Sequence, residues 1–235
     1  MTTGDPFYDS YHRFKGYAAA RLNPKQVKRF ERDFWAPGGF KTDGRVLEVG
    51  CGEGLFLAYL QQKGVSDFIG IDQDPQLEHH YPADLKPHFR VNDARALKND
   101  PAYAGGFHRI VLIDVLEHFR PEDGLALLLD LKALLAPDGK ILVKVPNAGS
   151  PWGLPYQYGD LTHLTAFAPS SMRQMASAAE MTVDAFWPHP EGSSGRQRRD
   201  RLLHRFLTWM VATPPEIWTA NFFALLSPLP ESGNE

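Results

Sequence analysis

Only one cysteine, Cys51, occurs in 235 residues, so no intramolecular disulfide can form and the chain suits a reducing compartment. No run of about 18 uninterrupted apolar residues offers a membrane-spanning helix, and the first residues lack the apolar core of a signal peptide. The expectation is a soluble, cytoplasmic protein. Positive charge is not in excess either: 25 Lys and Arg against 28 Asp and Glu give a net charge of −3. Nothing therefore draws the chain as a whole to nucleic acid or to an anionic membrane, and such an attraction has to come from a local basic patch. Internal repeats and low-complexity tracts are missing too. The length suits one α/β domain with a sizeable core and is short for two.

What is present is an alternation of buried strands and helices. Strands are predicted at 45–49, 68–72, 88–92, 108–114 and 139–145, with helices at 54–63 and 122–135 between them. Asp138-Gly139 is a turn signal ahead of the fifth strand. A helix at 169–180, a strand at 181–187, a Gly/Ser/Pro linker at 188–195, a basic helix at 196–212 and a last strand at 217–226 follow. This order predicts an α/β fold, a mostly parallel Rossmann-like sheet with helices on both faces and ligands at the carboxyl ends of its strands. Residues 1–44 carry Tyr8, Tyr11, Phe14, Tyr17, Phe30, Phe34 and Trp35 ahead of a Pro-Gly-Gly break, and read as an N-terminal helical cap on the main domain, 45–235. Residues 146–169 lack periodicity and read as a long functional loop.

The chemistry concentrates in Val46-Leu47-Glu48-Val49-Gly50-Cys51-Gly52-Glu53-Gly54, a strand entering a glycine-rich turn, and in Phe68-Ile69-Gly70-Ile71-Asp72, a second buried strand ending in an acid. Glycines let backbone approach a ligand closely, and an acid at that strand tip can accept from two ribose hydroxyls. A dinucleotide-binding turn wants its third glycine three residues after the second, whereas these stand at 50, 52 and 54. The pattern resembles the first motif of class I S-adenosylmethionine-dependent methyltransferases.

That resemblance spans about residues 45–187 and implies the family's seven-stranded sheet with a terminal antiparallel strand. It implies that Glu48, Gly50, Cys51, Gly52 and Asp72 hold S-adenosylmethionine, that Asp93, next to Ala94 in Asn92-Asp93-Ala94, accepts from the adenine amine, and that Asp114 lies near the methionine end. Leu135-Ala136-Pro137-Asp138-Gly139-Lys140 resembles a later motif. Cys51 reads as a space-filling residue of the turn rather than a reactive thiol. Glu78-His79-His80 matches no family signature and reads as solvated helix or loop rather than a metal site.

For a hydroxyl acceptor, methyl transfer from a sulfonium needs alignment and removal of a proton. Asp114, Glu117 and His118 follow the fourth strand, and His163 lies on the long loop after Asp160. Oxygen and nitrogen ligands so clustered suit Mg²⁺ or another divalent cation. The spacing resembles the acid-x-x-Glu-His of ubiquinone-pathway O-methyltransferases and of small-RNA 3′-terminal 2′-O-methyltransferases, where a metal is bound. Three readings stand side by side: a cation on Asp114, Glu117, His118 and His163; metal-free catalysis by His118, His163 and Asp160; or a structural role. The run from Val145 through Ser171 resembles bacterial glycan and secondary-metabolite methyltransferases, which implies O-methylation of a sugar hydroxyl on a small-molecule or glycan acceptor, with Trp152, Tyr156 and Tyr158 as stacking surfaces and the loop and N-terminal cap as a closing lid. A quinone or aromatic acceptor, an RNA 3′ terminus, disfavoured by the acidic chain, and a silent regulatory subunit are the alternatives.

At the other end, Leu202, Leu203, Phe206, Leu207 and Met210 share one helix face, with Arg198, Arg201 and Arg205 on another. Packing on the sheet is the plain expectation. Contact with a membrane surface or an anionic acceptor is the other.

Overall fold

A computed structural model of the chain describes Phe7, residues 21–103 and residues 106–230. Tyr8, Tyr11, Phe14 and Tyr17 of the expected cap lie outside the described residues. Strands β1 (Val46–Val49), β2 (Phe68–Asp72), β3 (Phe89–Val91), β4 (Phe107–Ile113), β5 (Leu135–Pro146), β6 (Met181–Pro188) and β7 (Asn221–Pro228) form one sheet in the order β3-β2-β1-β4-β5-β7-β6. The first five pair in parallel, and β7 runs antiparallel to both β5 and β6. Two antiparallel pairings in succession make β6 run parallel to β5, so the carboxyl end of β6 arrives on the same sheet edge as those of β1, β4 and β5.

Central strands are buried on both faces: β1 is buried throughout, as a parallel strand covered by helices must be. On one face, α3 (Pro121–Lys132) and α5 (Pro169–Ala178) contribute Leu127, Leu128, Leu131, Met172 and Ala176 to one core. On the other, α1 (Pro24–Phe30), its π-turn continuation Glu31–Trp35 and α2 (Leu55–Lys63) contribute Phe30, Phe34, Phe56 and Tyr59. Asn23 caps α1 through a reciprocal capping box with Gln26. Phe34 meets Phe223 of β7 edge-on, with ring centroids 4.8 Å apart. The described part of the N-terminal segment is therefore a packed layer of the core.

Three expectations need correction. The loop 146–169 is not structureless: it contains the short helix α4 (Leu154–Tyr158), and an isolated bridge joins Asn147 to Phe167. The last strand begins at Asn221, because the backbone before it is engaged elsewhere; the Asn147 side chain donates to the carbonyls of Ile217 and Thr219. Most importantly, α6 (Ser194–Met210) does not pack an apolar face on the sheet, and none of its residues is buried. Among the described residues no helix is long and apolar enough to cross a membrane.

Candidate active site

The glycine-rich turn leaves β1 through two backbone hydrogen bonds, from Gly50 and Cys51 N–H to the Ile71 carbonyl at 2.8 and 3.0 Å. This tight exit puts Gly50 at φ +70°, where a Cβ would lie 2.5 Å from Val115 Cγ2. Asp72, at the tip of β2, accepts from Gly52 N–H and Asp74 N–H, each at 3.0 Å. Both carboxylate oxygens are thus held in place, each with lone-pair capacity remaining. Burial raises the Asp72 carboxyl above its usual range, against the backbone donors that lower it. Tyr81 donates to the Gly52 carbonyl at 2.8 Å and stands 3.1 Å from Cys51 Sγ. Burial, with the charges of Glu48 and Asp72, pushes the Cys51 thiol well above its ordinary value, which keeps it protonated and unreactive.

A cavity of about 390 Å³ opens beside this turn, lined by Glu48, Gly50, Cys51, Ile113, Asp114 and, from outside the glycine motif, Arg29, Lys144 and His189. Its size falls within the roughly 300–1,000 Å³ of small-molecule sites. Glu48 is buried, its Oε2 has no hydrogen-bond partner among the described residues, and burial, then the nearby Asp72, holds its carboxyl well above the usual range. Such an atom marks a place where a ligand's donor completes the site. Lys144 is a buried lysine near the carboxyl end of β5; its ammonium bonds both oxygens of Asp114, at 2.6 and 2.7 Å. Asp114 has φ +55° and donates its N–H to the Lys144 carbonyl at 3.0 Å. A non-glycine residue in that conformation at a strand tip is strained, as functional sites often are.

His189 follows β6 and reaches the cavity by the topology described above. Its backbone N–H bonds Asn221 O at 3.2 Å, and its ring packs edge-on against Phe223. Nε2 is 3.7 Å from Asp33 and Nδ1 3.6 Å from Glu191. Among the described residues Nδ1 is buried without a hydrogen-bond partner. Burial and the cations Lys144 and Arg29, against Asp114, bring the imidazole down to about 3, so it is neutral in the physiological range.

The second group of predicted residues does not line this cavity. Glu117, His118 and His163 come together with ligand atoms within 4.8 Å of one another, the one such group of three or more among the described residues. Their setting ties the long loop to the segment after β4. Leu164 and Thr165 N–H both donate to the Glu117 carbonyl, and Thr165 Oγ1 to that of Phe119. Thr162 Oγ1 donates to Asp160 and so accepts from His118 Nδ1–H, 2.9 Å away. His163 Nδ1 faces the Gln157 carbonyl at 3.1 Å, which can only accept. Both rings therefore carry a proton on Nδ1 and present Nε2 as the ligand atom. His163 Nε2 lies 4.0 Å from Glu117 and 3.9 Å from Asp160.

Asp114 is the correction within the expected metal set: its carboxylate is taken by Lys144 on the cavity wall and is not part of the three-residue group. Asp93 caps the short helical turn after β3 and is bonded at both oxygens by Arg95, which lowers its carboxyl below the usual range. Ala94 opens that turn. Glu78 and His79 are exposed on the turn Pro75–His79, as a solvated segment would be. Sequence reasoning missed Lys144 and His189. A charge inside the apolar run Ile141-Leu142-Val143-Lys144-Val145 was a signal for the first, whereas nothing local marked the second.

Residues 16–185 match the family model described as a methyltransferase domain. No curated protein matches the sequence significantly. Among solved structures, a SAM-dependent methyltransferase from Archaeoglobus fulgidus superposes with TM-score 0.63 at 20% identity, over 94% of this chain and 99% of that one. The magnesium protoporphyrin IX methyltransferase of Synechocystis PCC 6803 with bound SAH gives 0.58 at 15%, over 94% of each chain. Mitomycin 7-O-methyltransferase gives 0.62 at 12%, over 96% of this chain and 61% of that one. At such identities the likeness is one of fold. The family match over most of the chain, on a sheet of that fold with the glycine turn and cavity at its carboxyl edge, places this protein in the class I S-adenosylmethionine-dependent methyltransferase family.

Proposed function

We propose that this enzyme is a cytoplasmic O-methyltransferase whose acceptor is a sugar hydroxyl on a glycan or glycosylated metabolite. The observation that carries the reading is a neutral imidazole on the cavity wall, linked through Glu191 to Tyr156 on a loop that carries exposed aromatic rings. Tyr156 donates to Glu191, and Glu191 lies against His189; Trp152 and Tyr158 stand exposed on the same loop. Flat apolar rings suit the apolar face of a sugar, and the His189 imidazole accepts the hydroxyl proton. The cavity fits the donor: Glu48 Oε2 awaits a hydrogen-bond donor, and the backbone of Gly50 and Cys51 lines its wall. When bound, S-adenosylmethionine supplies an electrophilic methyl carbon on a sulfonium. Asp72 would accept from its ribose hydroxyls and Asp93, beside Ala94, from its adenine amine, Arg29 would pair with its carboxylate, and Asp114 and Lys144 would line the cavity wall.

Asp72→Ala is expected to weaken S-adenosylmethionine and S-adenosylhomocysteine together, by about 1.5–3 kcal/mol, or roughly ten- to a hundredfold in Kd. Unchanged affinity by titration calorimetry would remove Asp72 from the ribose site.

A second reading is favoured by one observation, the Glu117, His118 and His163 group, whose two imidazoles and carboxylate are a fitting donor set for a divalent ion. Acceptor activation there would align the enzyme with the RNA-terminal or aromatic alternatives. One experiment separates the two: methyl transfer from labelled donor to sugars, phenols and RNA 3′ ends, with and without chelator. The sugar reading expects sugars to lead by about tenfold or more and transfer to persist in chelator. Loss of transfer in chelator with recovery on adding Mg²⁺, or label on RNA or phenols alone, would establish the other.

A further inference from the structure

We propose that α6 is a docking element for an anionic lipid surface. The helix is amphipathic, yet its apolar side is turned away from the protein. Half-buried Gln197, Asp200, His204 and Leu207 face the body. His204 stacks on Trp218, with ring centroids 5.5 Å apart, and Trp218 Nε1 donates to Thr208. At about 100° per residue, Trp209, Leu202, Phe206, Met210 and Leu203 fall in an arc of roughly 120° on the far side. Trp209 is 78%, Leu202 68% and Phe206 54% exposed. A surface helix normally buries such a stripe, and an unpartnered one marks an interaction site.

Charge identifies the occupant. The helix carries Arg196, Arg198, Arg199, Arg201 and Arg205 against the single acid Asp200, in a chain whose net charge is −3. Arg198, Arg201 and Arg205 run along one margin of the apolar arc, Arg196 lies at the other, and Arg199 falls within the arc in the first turns of the helix. Arginines at the margins with Trp, Phe and Leu between them match a bilayer interface, in which apolar rings enter the acyl boundary and the guanidinium groups meet phosphates. A protein partner or a second copy of this chain would have to bring an apolar face of opposite charge, and the acids of α6 itself do not supply one. The helix is too polar to span and lies flat. It adjoins the acceptor loop, where the Trp152 ring stacks with His204 at 6.5 Å, so docking would hold that loop near the lipid headgroups.

The test is co-sedimentation of the full chain with vesicles of phosphatidylcholine alone or with about 30% phosphatidylglycerol, in low and high salt. The expected result is at least about tenfold stronger binding to the anionic vesicles, lost in high salt. The double variant Phe206→Glu, Trp209→Glu should lose that binding while S-adenosylhomocysteine affinity, as the control for folding, stays unchanged. A triple change of Arg198, Arg201 and Arg205 to Glu should abolish the preference for anionic lipid. Equal binding to both vesicles, or an intact interaction in the Phe206/Trp209 variant, would overturn the proposal. So would a dimer in sedimentation equilibrium that the same variant dissociates, with no vesicle binding, because the face would then belong to a second copy of the chain.

Discussion

Gly50→Ala is expected to destabilise the protein by about 2–5 kcal/mol and to abolish measurable cofactor binding. Two costs add at this one position. Holding an alanine at φ +70° costs roughly 1–2 kcal/mol, since its Cβ crowds the following carbonyl in the left-handed region. The same Cβ would stand 2.5 Å from Val115 Cγ2, and overpacking of that kind typically costs a further 1–3 kcal/mol. Gly52 provides the internal comparison: its φ is +50°, but nothing lies within 4 Å of where its Cβ would stand, so Gly52→Ala should show only the backbone cost. Chemical denaturation of the two variants measures the difference. Adding Val115→Ala to Gly50→Ala should recover the overlap part and leave the backbone part, a coupling visible in a double-mutant cycle. Equal destabilisation by the two alanines would refute the steric argument and leave the backbone alone responsible.

How much of this was legible in the sequence depended on how local the cause was. The parallel strands could be read because burial on both faces makes them short apolar runs, such as Ile110-Val111-Leu112-Ile113. The turn at Gly50–Gly54 could be read because its φ angles, its exit from β1 and its place before α2 are all decided within nine residues. Boundaries failed where a distant partner intervened. β5 starts at Leu135 because Leu135 pairs with Phe107 before the register shifts to Arg109 and Lys140, so the turn at Asp138-Gly139 lies inside the strand. The fate of Asp114 was hidden because its partner Lys144 comes from the next strand, and no spacing rule links them. His189 was hidden for a topological reason, since only the insertion of β7 between β5 and β6 carries it to the cofactor edge. The arc on α6 was legible as a face, but periodicity states that a face exists and not which way it points.

Replacing His189 is expected to have the largest effect on turnover: His189→Ala or His189→Gln should lower kcat by about a hundred- to ten-thousandfold, the usual loss for a positioned acid–base group. Donor affinity should change little. A base held near 3 suffices for this chemistry, because the acceptor oxygen becomes strongly acidic as its bond to the methyl carbon forms. The groups around the ring decide its pH behaviour. Asp33 and Glu191 lie within 4 Å, Lys144, Arg29 and Arg32 lower its proton affinity, and Asp114 raises it; burial and the cations prevail. The pH–rate profile should therefore show no acidic limb near the ordinary histidine value of 6.5, and transfer should continue unchanged from neutral pH to about pH 5. The same shift has a sign for stability. As pH falls below 6.5 the unfolded chain protonates this imidazole while the folded chain does not, so the stability it contributes is complete above 6.5 and is lost progressively toward 3. His189→Phe should remove that part of the slope. A directly measured titration of His189 near 6.5, or turnover within about threefold of wild type in His189→Gln, would move the base away from His189.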